Sequence, residues 1–243
     1  MGECKMKYKV ILWDLDGTLT DFLAAEKAAI RKCFEIIGLG ECTDEMLARY
    51  SAINVRYWQL LERGEMTKAQ ILVERFREFF ALEGLDVDKA YAFNEEYQLR
   101  LGDTVVFCDD SYRIVEDLKG KVLQCLVTNG TRVSQENKLK NSGFDRLFDY
   151  FFISDIVGYE KPAVEFFDAV FAKIGDYSKE DVLIIGDSLT SDIKGGNNVG
   201  IDTCWYNPWG EYNDKNVQVT YEIRDLHEIY DIMSASESTF VHD

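Results

Sequence analysis

Four stretches of near-continuous apolar sequence constrain this chain more than any other feature. They are KVILWDLD (residues 9–16), KVLQCLVTN (121–129), DYFFIS (149–154) and DVLIIGD (181–187). A strand with one wet face alternates apolar with polar residues, whereas a strand covered on both faces does not. TCWY (203–206) and VTYEI (219–223) are two weaker strand candidates. Helix-period segments at 111–119, 132–142, 163–174 and 189–198 lie between the strands. That alternation predicts an α/β fold built on an open, doubly wound parallel sheet.

Residues 21–102 break the rhythm. Ala25, Ala29, Cys33 and Ile37 repeat every four residues with Ile30 and Phe34 alongside, and Leu72, Phe76, Phe79 and Phe80 form a second helical stripe. Segments 47–61 and 87–101 also read as helices. The expected organisation is a sheet domain from residues 1–20 and 103–243, interrupted by a smaller all-helical domain at 21–102. The chain end from Ser236 is expected to be loose.

Charge removes several function classes. With 44 acidic against 27 basic residues the net charge is −17, which disfavours a nucleic acid polymer or an anionic membrane as partner. A small phosphorylated metabolite stays possible, because it needs only a local cationic site. The six cysteines form no Cys-x-x-Cys pair, and two histidines are too few for a zinc cluster. Cysteines inside apolar runs, with no signal-peptide core before Asp14, suggest a reduced, cytoplasmic protein.

Ligands of open α/β sheets bind where strands end. The first strand ends in Asp14-Leu15-Asp16-Gly17-Thr18, the second in Thr128-Asn129-Gly130 and the fourth in Gly186-Asp187-Ser188, with Asp192 a turn later; the third leads to Lys161 before Pro162. Singly, each has a bland reading: a capped turn, a loop lysine, a helix N-cap. Gly195, Gly196 and Gly200 do not match a dinucleotide loop. Together the pieces describe a divalent cation beside an anion. All-oxygen ligation without histidine selects a hard cation, with Mg²⁺ the expected one. A nucleophile, charge neutralisation and proton management, the needs of phosphoryl transfer, are all supplied.

These motifs resemble those of the haloacid dehalogenase-like (HAD) phosphohydrolase superfamily. DLDGTLT is similar to its first motif, VTNG to its second, Lys161-Pro162 to its third and GDSLTSD to its fourth. The resemblance implies a Rossmann-like core carrying a small helical cap. It also implies Asp14 as nucleophile through an aspartyl-phosphate, and Asp16 as the acid that protonates the leaving alkoxide and then activates water. Thr128 and the backbone around Asn129 and Gly130 would hold phosphate oxygens, and Lys161 would neutralise charge. Mg²⁺ would take Asp14, the Asp16 carbonyl and Asp187, with Asp192 as direct or outer support.

Within the superfamily, the presence of Asp16 and Asp187 disfavours the dehalogenase branch. GDSLTSDIKGGNNVGIDTCWYNP (186–208), with TLTDFLAAE, YSAINVRYW and RFREFF, resembles the noncanonical pyrimidine nucleotidases. The implied activity is 5'-nucleotidase action on a nucleoside monophosphate. The alternatives are a sugar-phosphate or phosphoglycolate-type phosphatase, a β-phosphoglucomutase-like mutase, and a non-enzymatic binding protein. Tyr50, Asn54, Tyr57, Trp58 and Glu62 are cap candidates for the leaving group, although aromatics at helical spacing more often pack a core. Trp205 reads as core. Cap closure about Thr20–Phe22 and Leu101–Thr104 would gate water.

Overall fold

The computed structural model describes residues 6–234; Cys4 and the expected loose end from Ser236 lie outside the described residues. The strands are β1 (Val10–Trp13), β2 (Leu123–Thr128), β3 (Tyr150–Ile153), β4 (Val182–Gly186), β5 (Asp202–Tyr206) and β6 (Tyr221–Ile223). The helices are α1 (Phe22–Ile37), α2 (Asp44–Glu62), α3 (Lys68–Leu82), α4 (Ala90–Arg100), α5 (Ser111–Leu118), α6 (Arg132–Ser142), α7 (Ser154–Val157), α8 (Val164–Ile174), α9 (Lys194–Val199) and α10 (Ile229–Ser234). Among the described residues no helix is long and apolar enough to cross a membrane, and the cysteines are free thiols.

Two compact units result. One holds the chain up to Thr20, Phe107–Asn129 and the chain from Phe144 on; the other holds Asp21–Val106 and Gly130–Gly143.

The first unit contains one all-parallel sheet in the order β3-β2-β1-β4-β5-β6. Both faces are covered, as the unbroken apolar runs require. Val10 and Leu12 join Val127, Ile184 and Phe167 in one core, while Ile11 and Trp13 on the opposite face are equally buried. Register, more than packing, decides where the loops begin. Trp13, the last residue of β1, lies opposite Leu126 of β2 and Ile185 of β4, so β1 ends first and its two neighbours run on past it to Thr128 and Gly186. Strand order reverses at β1, where open α/β sheets leave a crevice.

The expected helix at 189–198 differs in one respect. Leu189–Ile193 forms a wide π-helical turn, and only Lys194–Val199 is α-helical before Gly200 closes it with a left-handed backbone.

The second unit is all-helical. Asp21, Thr43 and Thr67 cap the N-termini of α1, α2 and α3, each accepting a backbone N–H at the third position. Its core is aromatic: Phe34, Phe76, Phe79, Phe80 and Phe93 share one cluster with Tyr50, which stacks on Phe76 at 4.9 Å. Residues 130–143 cluster here, although the sequence division placed them with the sheet. The reason is side-chain bonding that periodicity does not register. Thr131 Oγ1 donates to Gln98 Oε1 at 2.7 Å, and Asn141 Nδ2 donates to the Gly102 carbonyl at 2.9 Å.

A buried polar chain crosses this core. Asn54 Nδ2 donates to Glu26 Oε2 at 2.7 Å, and Arg75 donates to Asn54 Oδ1 at 2.6 Å and Asn94 Oδ1 at 3.4 Å. Gln98 Nε2 donates to the same Asn94 oxygen at 3.1 Å, leaving its own oxygen for Thr131. Glu26 can only accept when ionised and Arg75 can only donate, so these two charges set the direction of the intervening amides. Burial pushes the Glu26 carboxyl up, against Ser51, Arg75 and Asn54, which favour the charged form. Replacing Arg75 by Met strands Glu26, so stability should fall by about 3 kcal/mol or more. In Glu26→Gln/Arg75→Met the loss should be smaller than the sum of the single losses. Chemical denaturation of the three variants checks this.

Candidate active site

Asp14 is the first residue past β1, and its N–H still donates to the Ile185 carbonyl at 2.9 Å. The strand ladder therefore runs one residue into the loop and fixes the origin of this side chain. The chain then turns at Gly17, whose φ of +94° favours glycine; a Cβ there would lie 2.5 Å from Asp187 Oδ2. Thr18 follows, fully buried. Its hydroxyl lies 3.2 Å from Asp14 Oδ2 and 3.3 Å from Asp187 Oδ1, and accepts the Asp187 N–H at 3.0 Å.

Lys161 is 1% exposed and supplies the local cation. Its Nζ donates to Asp14 Oδ1 at 2.7 Å, Asp192 Oδ1 at 2.6 Å and the Val127 carbonyl at 2.8 Å, which uses all three ammonium protons. Its peptide is clipped by Asn129, which accepts the Lys161 N–H and donates to the Lys161 carbonyl, both at 2.8 Å. Asp192 rides on the π turn, where its N–H and that of Ile193 both donate to the Ser188 carbonyl. The Ser188 N–H donates to Asp192 Oδ2 at 3.2 Å. Both oxygens of Asp192 are thus engaged.

Carboxylate oxygens of Asp14, Asp187 and Asp192 all lie within 4.8 Å of one another. Oxygen donors alone, with more negative charge than one lysine balances, fit a hard divalent cation. The Asp16 carboxylate is outside this group, and Asp16 is half-buried. Asp16 pairs in bridge fashion with Thr20. Thr128 ends β2 and is buried; Gly130 begins the segment that clusters with the helical unit, where Gln135 packs against it so closely that a Cβ would lie 1.9 Å from Nε2.

A family model for haloacid dehalogenase-like hydrolases matches residues 8–200, including every motif above. The chain belongs to this hydrolase family. HAD-hydrolase YfnB of Bacillus subtilis is 37% identical over 94% of this chain and 96% of its own length. Pyrimidine 5'-nucleotidase PynA of Streptococcus pneumoniae is 33% identical, also over 94% of this chain and 96% of its own. Pyrimidine 5'-nucleotidase YjjG of Escherichia coli is 27% identical over 94% and 99%. The crystal structure of YfnB, bound to magnesium and revealing interdomain movement, superposes with a TM-score of 0.88 over 93% of this chain and 98% of that one.

Charge is finely divided in this hydrolase. Burial alone would drive Lys161 down, but Asp14 and Asp192 outweigh it and hold the ammonium above its usual range. Burial pushes Asp14 up to about 7 against the pull of Lys161, with Asp192 adding to the rise. Burial raises Asp187 well above the usual carboxylate range, and the charges of Asp14 and Asp192 add to the rise.

Sequence reading missed several neighbours of the cluster. Thr18 stood inside the first motif, and Ser188 followed Asp187, so both were in view as hydroxyls near carboxylates. Ser191, 3.3 Å from Asn129 Nδ2, gave no signal of its own. Trp205 Nε1 donates to the Asp187 carbonyl at 2.9 Å, so it does more than fill core. Of the cap candidates, Tyr50 is buried in the aromatic core and Asn54 is bonded to Glu26 and Arg75, so neither is an open shelf for a base. Tyr57 donates to Glu78 at 3.1 Å, and Trp58 and Glu62 are half-buried.

The raised Asp14 has a thermodynamic signature in the metal-free protein. Between the unfolded carboxyl value near 3.8 and the folded value of about 7, the folded state binds more protons than the unfolded one. Stability contributed there falls as pH rises through that window. With chelator present, melting temperature should decline from pH 4 to 7 more steeply in wild type than in Asp14→Asn; equal slopes would show that Asp14 titrates as an ordinary carboxyl.

Proposed function

We propose that this hydrolase is a Mg²⁺-dependent phosphomonoesterase that cleaves nucleoside 5'-monophosphates, pyrimidine nucleotides first among them. The observation that carries the reading is Lys161 Nζ held between Asp14 and Asp192, with Asp187 beside them. This arrangement has a nucleophile and a fixed cation but too much negative charge for a phosphate dianion. Two unit charges about 4 Å apart at an effective dielectric of 20 interact by about 4 kcal/mol, so binding the dianion needs a further cation. The nucleotide preference rests on PynA and YjjG, both pyrimidine 5'-nucleotidases that align over 94% of this chain.

Asp14, the Asp16 carbonyl and Asp187 would hold the metal, with Asp192 supporting from behind through Lys161 and Ser188. When bound, Mg²⁺ supplies Lewis-acid neutralisation of the phosphate oxygens. Asp14 attacks phosphorus as the ester P–O bond breaks, and Asp16 donates its proton to the departing 5'-oxygen. Asp16, now a carboxylate, takes a proton from water; the hydroxide attacks phosphorus, releasing inorganic phosphate and restoring Asp14. Lys161 offsets charge on Asp14 and the phosphoryl group throughout, and Thr128 with the backbone of Asn129 and Gly130 holds phosphate oxygens. Asn129 serves a second purpose as the clip on the Lys161 peptide.

Phosphate release should be measured across UMP, CMP, dTMP, AMP, GMP, sugar phosphates and phosphoglycolate, with Mg²⁺ and with chelator. Metal-dependent release favouring the pyrimidine nucleotides is expected. Broad sugar-phosphate or phosphoglycolate turnover without nucleotide preference overturns the substrate assignment. Asp14→Ala should lower kcat by about 10⁴-fold or more, and Asp16→Asn by about 10²–10⁴-fold.

A further inference from the structure

Asp187 is the least sheltered member of the carboxylate cluster. Its side chain is exposed, whereas Asp14 and Asp192 are buried. Its side chain has a contact with the Thr18 hydroxyl at 3.3 Å, and its backbone supplies further restraint. That backbone is gripped at both polar ends. The Asp187 N–H donates to Thr18 Oγ1 at 3.0 Å, and the Asp187 carbonyl accepts the Trp205 indole N–H at 2.9 Å. Trp205 lies on β5 in register with Gly186 of β4, the residue before Asp187. The indole therefore spans from one strand to the peptide that leaves its neighbour. Trp205 is 3% exposed, and its ring is confined by packing, so the donor is held in place rather than free to turn. Gly17 closes against the carboxylate, leaving little room for the side chain to move toward β1.

We propose that Trp205 is a positioning residue for the divalent-cation site, acting through the Asp187 peptide. The inference rests on the reading of Asp187 as a metal ligand. With both peptide groups fixed, only side-chain rotation remains to be ordered when the metal arrives, and the ordering cost of binding is correspondingly small. Without the indole donor, the peptide keeps its Thr18 contact but can pivot about it, and Asp187 relaxes away from Asp14 and Asp192. Removing a group that orients a metal ligand typically costs 10–100-fold in metal affinity. A residue serving only as core would leave metal affinity unchanged, whatever its effect on the metal-free fold.

The melting temperature of wild type and Trp205→Phe should be followed against Mg²⁺ concentration, without substrate. The expected result is a rise in both that begins near the dissociation constant and continues logarithmically, with the onset for Trp205→Phe displaced to about ten-fold higher Mg²⁺. In turnover assays, kcat should return toward wild type at saturating Mg²⁺. Equal Mg²⁺ onsets would overturn the role of Trp205 while leaving the metal reading intact; no Mg²⁺ response in wild type would overturn both. A reading independent of the variant's folding comes from the unaltered chain. Its Trp205 indole ¹H–¹⁵N signal should shift with Mg²⁺ and level off, in the concentration range where the melting temperature begins to climb. A signal that stays fixed while the melting temperature climbs rejects the proposal.

Discussion

The buried ammonium of Lys161 is the constraint on which the rest of the sheet unit depends. Its three protons reach Asp14 after β1, the Val127 carbonyl in β2 and Asp192 in the turn after β4. A charge this deeply buried is tolerable only with all its donors used and its countercharges close. Each partner therefore has to be delivered to one point by a different piece of chain. Strand register does part of this: Trp13, Leu126 and Ile185 share one row, and Asp14 continues β1 by one residue. Asn129 does another part, holding the Lys161 peptide at both its N–H and its carbonyl. Lys161 thus couples the ordering of the sheet to the ordering of the carboxylates.

How far the sequence reaches into this arrangement depends on the kind of signal each residue leaves. Asp14 and Asp187 were legible because each follows an abrupt end to an apolar run, and a buried strand has few reasons to end in charge; Lys161, a loop residue before Pro162, was legible only in company with them. Asp192 was legible by its distance from Asp187, although an ordinary helix was expected there rather than the π turn that actually carries it. The packing of α6 was not legible. Its period marks turns of helix but not which surface they meet, and its contacts to Gln98 and Gly102 are amide and hydroxyl bonds without periodicity. Tyr50 and Asn54 show the converse. An aromatic and an amide one turn apart looked equally suited to reading a base, and only neighbours on other helices assign them to the interior.

The net charge of −17 has to be separated from local charge before it bears on a partner. A polymer samples the whole surface and would be repelled by most of it. A small phosphate ester samples only the strand ends, where Lys161 is fixed and a cation is needed. Burial and the closeness of the three carboxylates both work against their ionised forms, a local cost that the sheet's apolar core must offset.

Close approach explains why the carboxylates can gather without opening the fold. At Gly17 a Cβ would meet Asp187 at 2.5 Å, and at Gly186 a Cβ would meet the Asp192 carboxyl at 2.2 Å. Both distances lie inside contact, so at these two points the site is built by leaving side chains out. The π turn at Leu189–Ile193 then has a clear geometric use. Its wider loop brings Asp192 back over Gly186, where Lys161 and the Ser188 N–H take its two oxygens. Any larger residue at Gly186 would push Asp192 off that position, and Lys161 would lose one of its two countercharges. The motif's glycines are therefore electrostatic requirements as much as conformational ones, since they set how closely like charges can be brought to the cation that balances them.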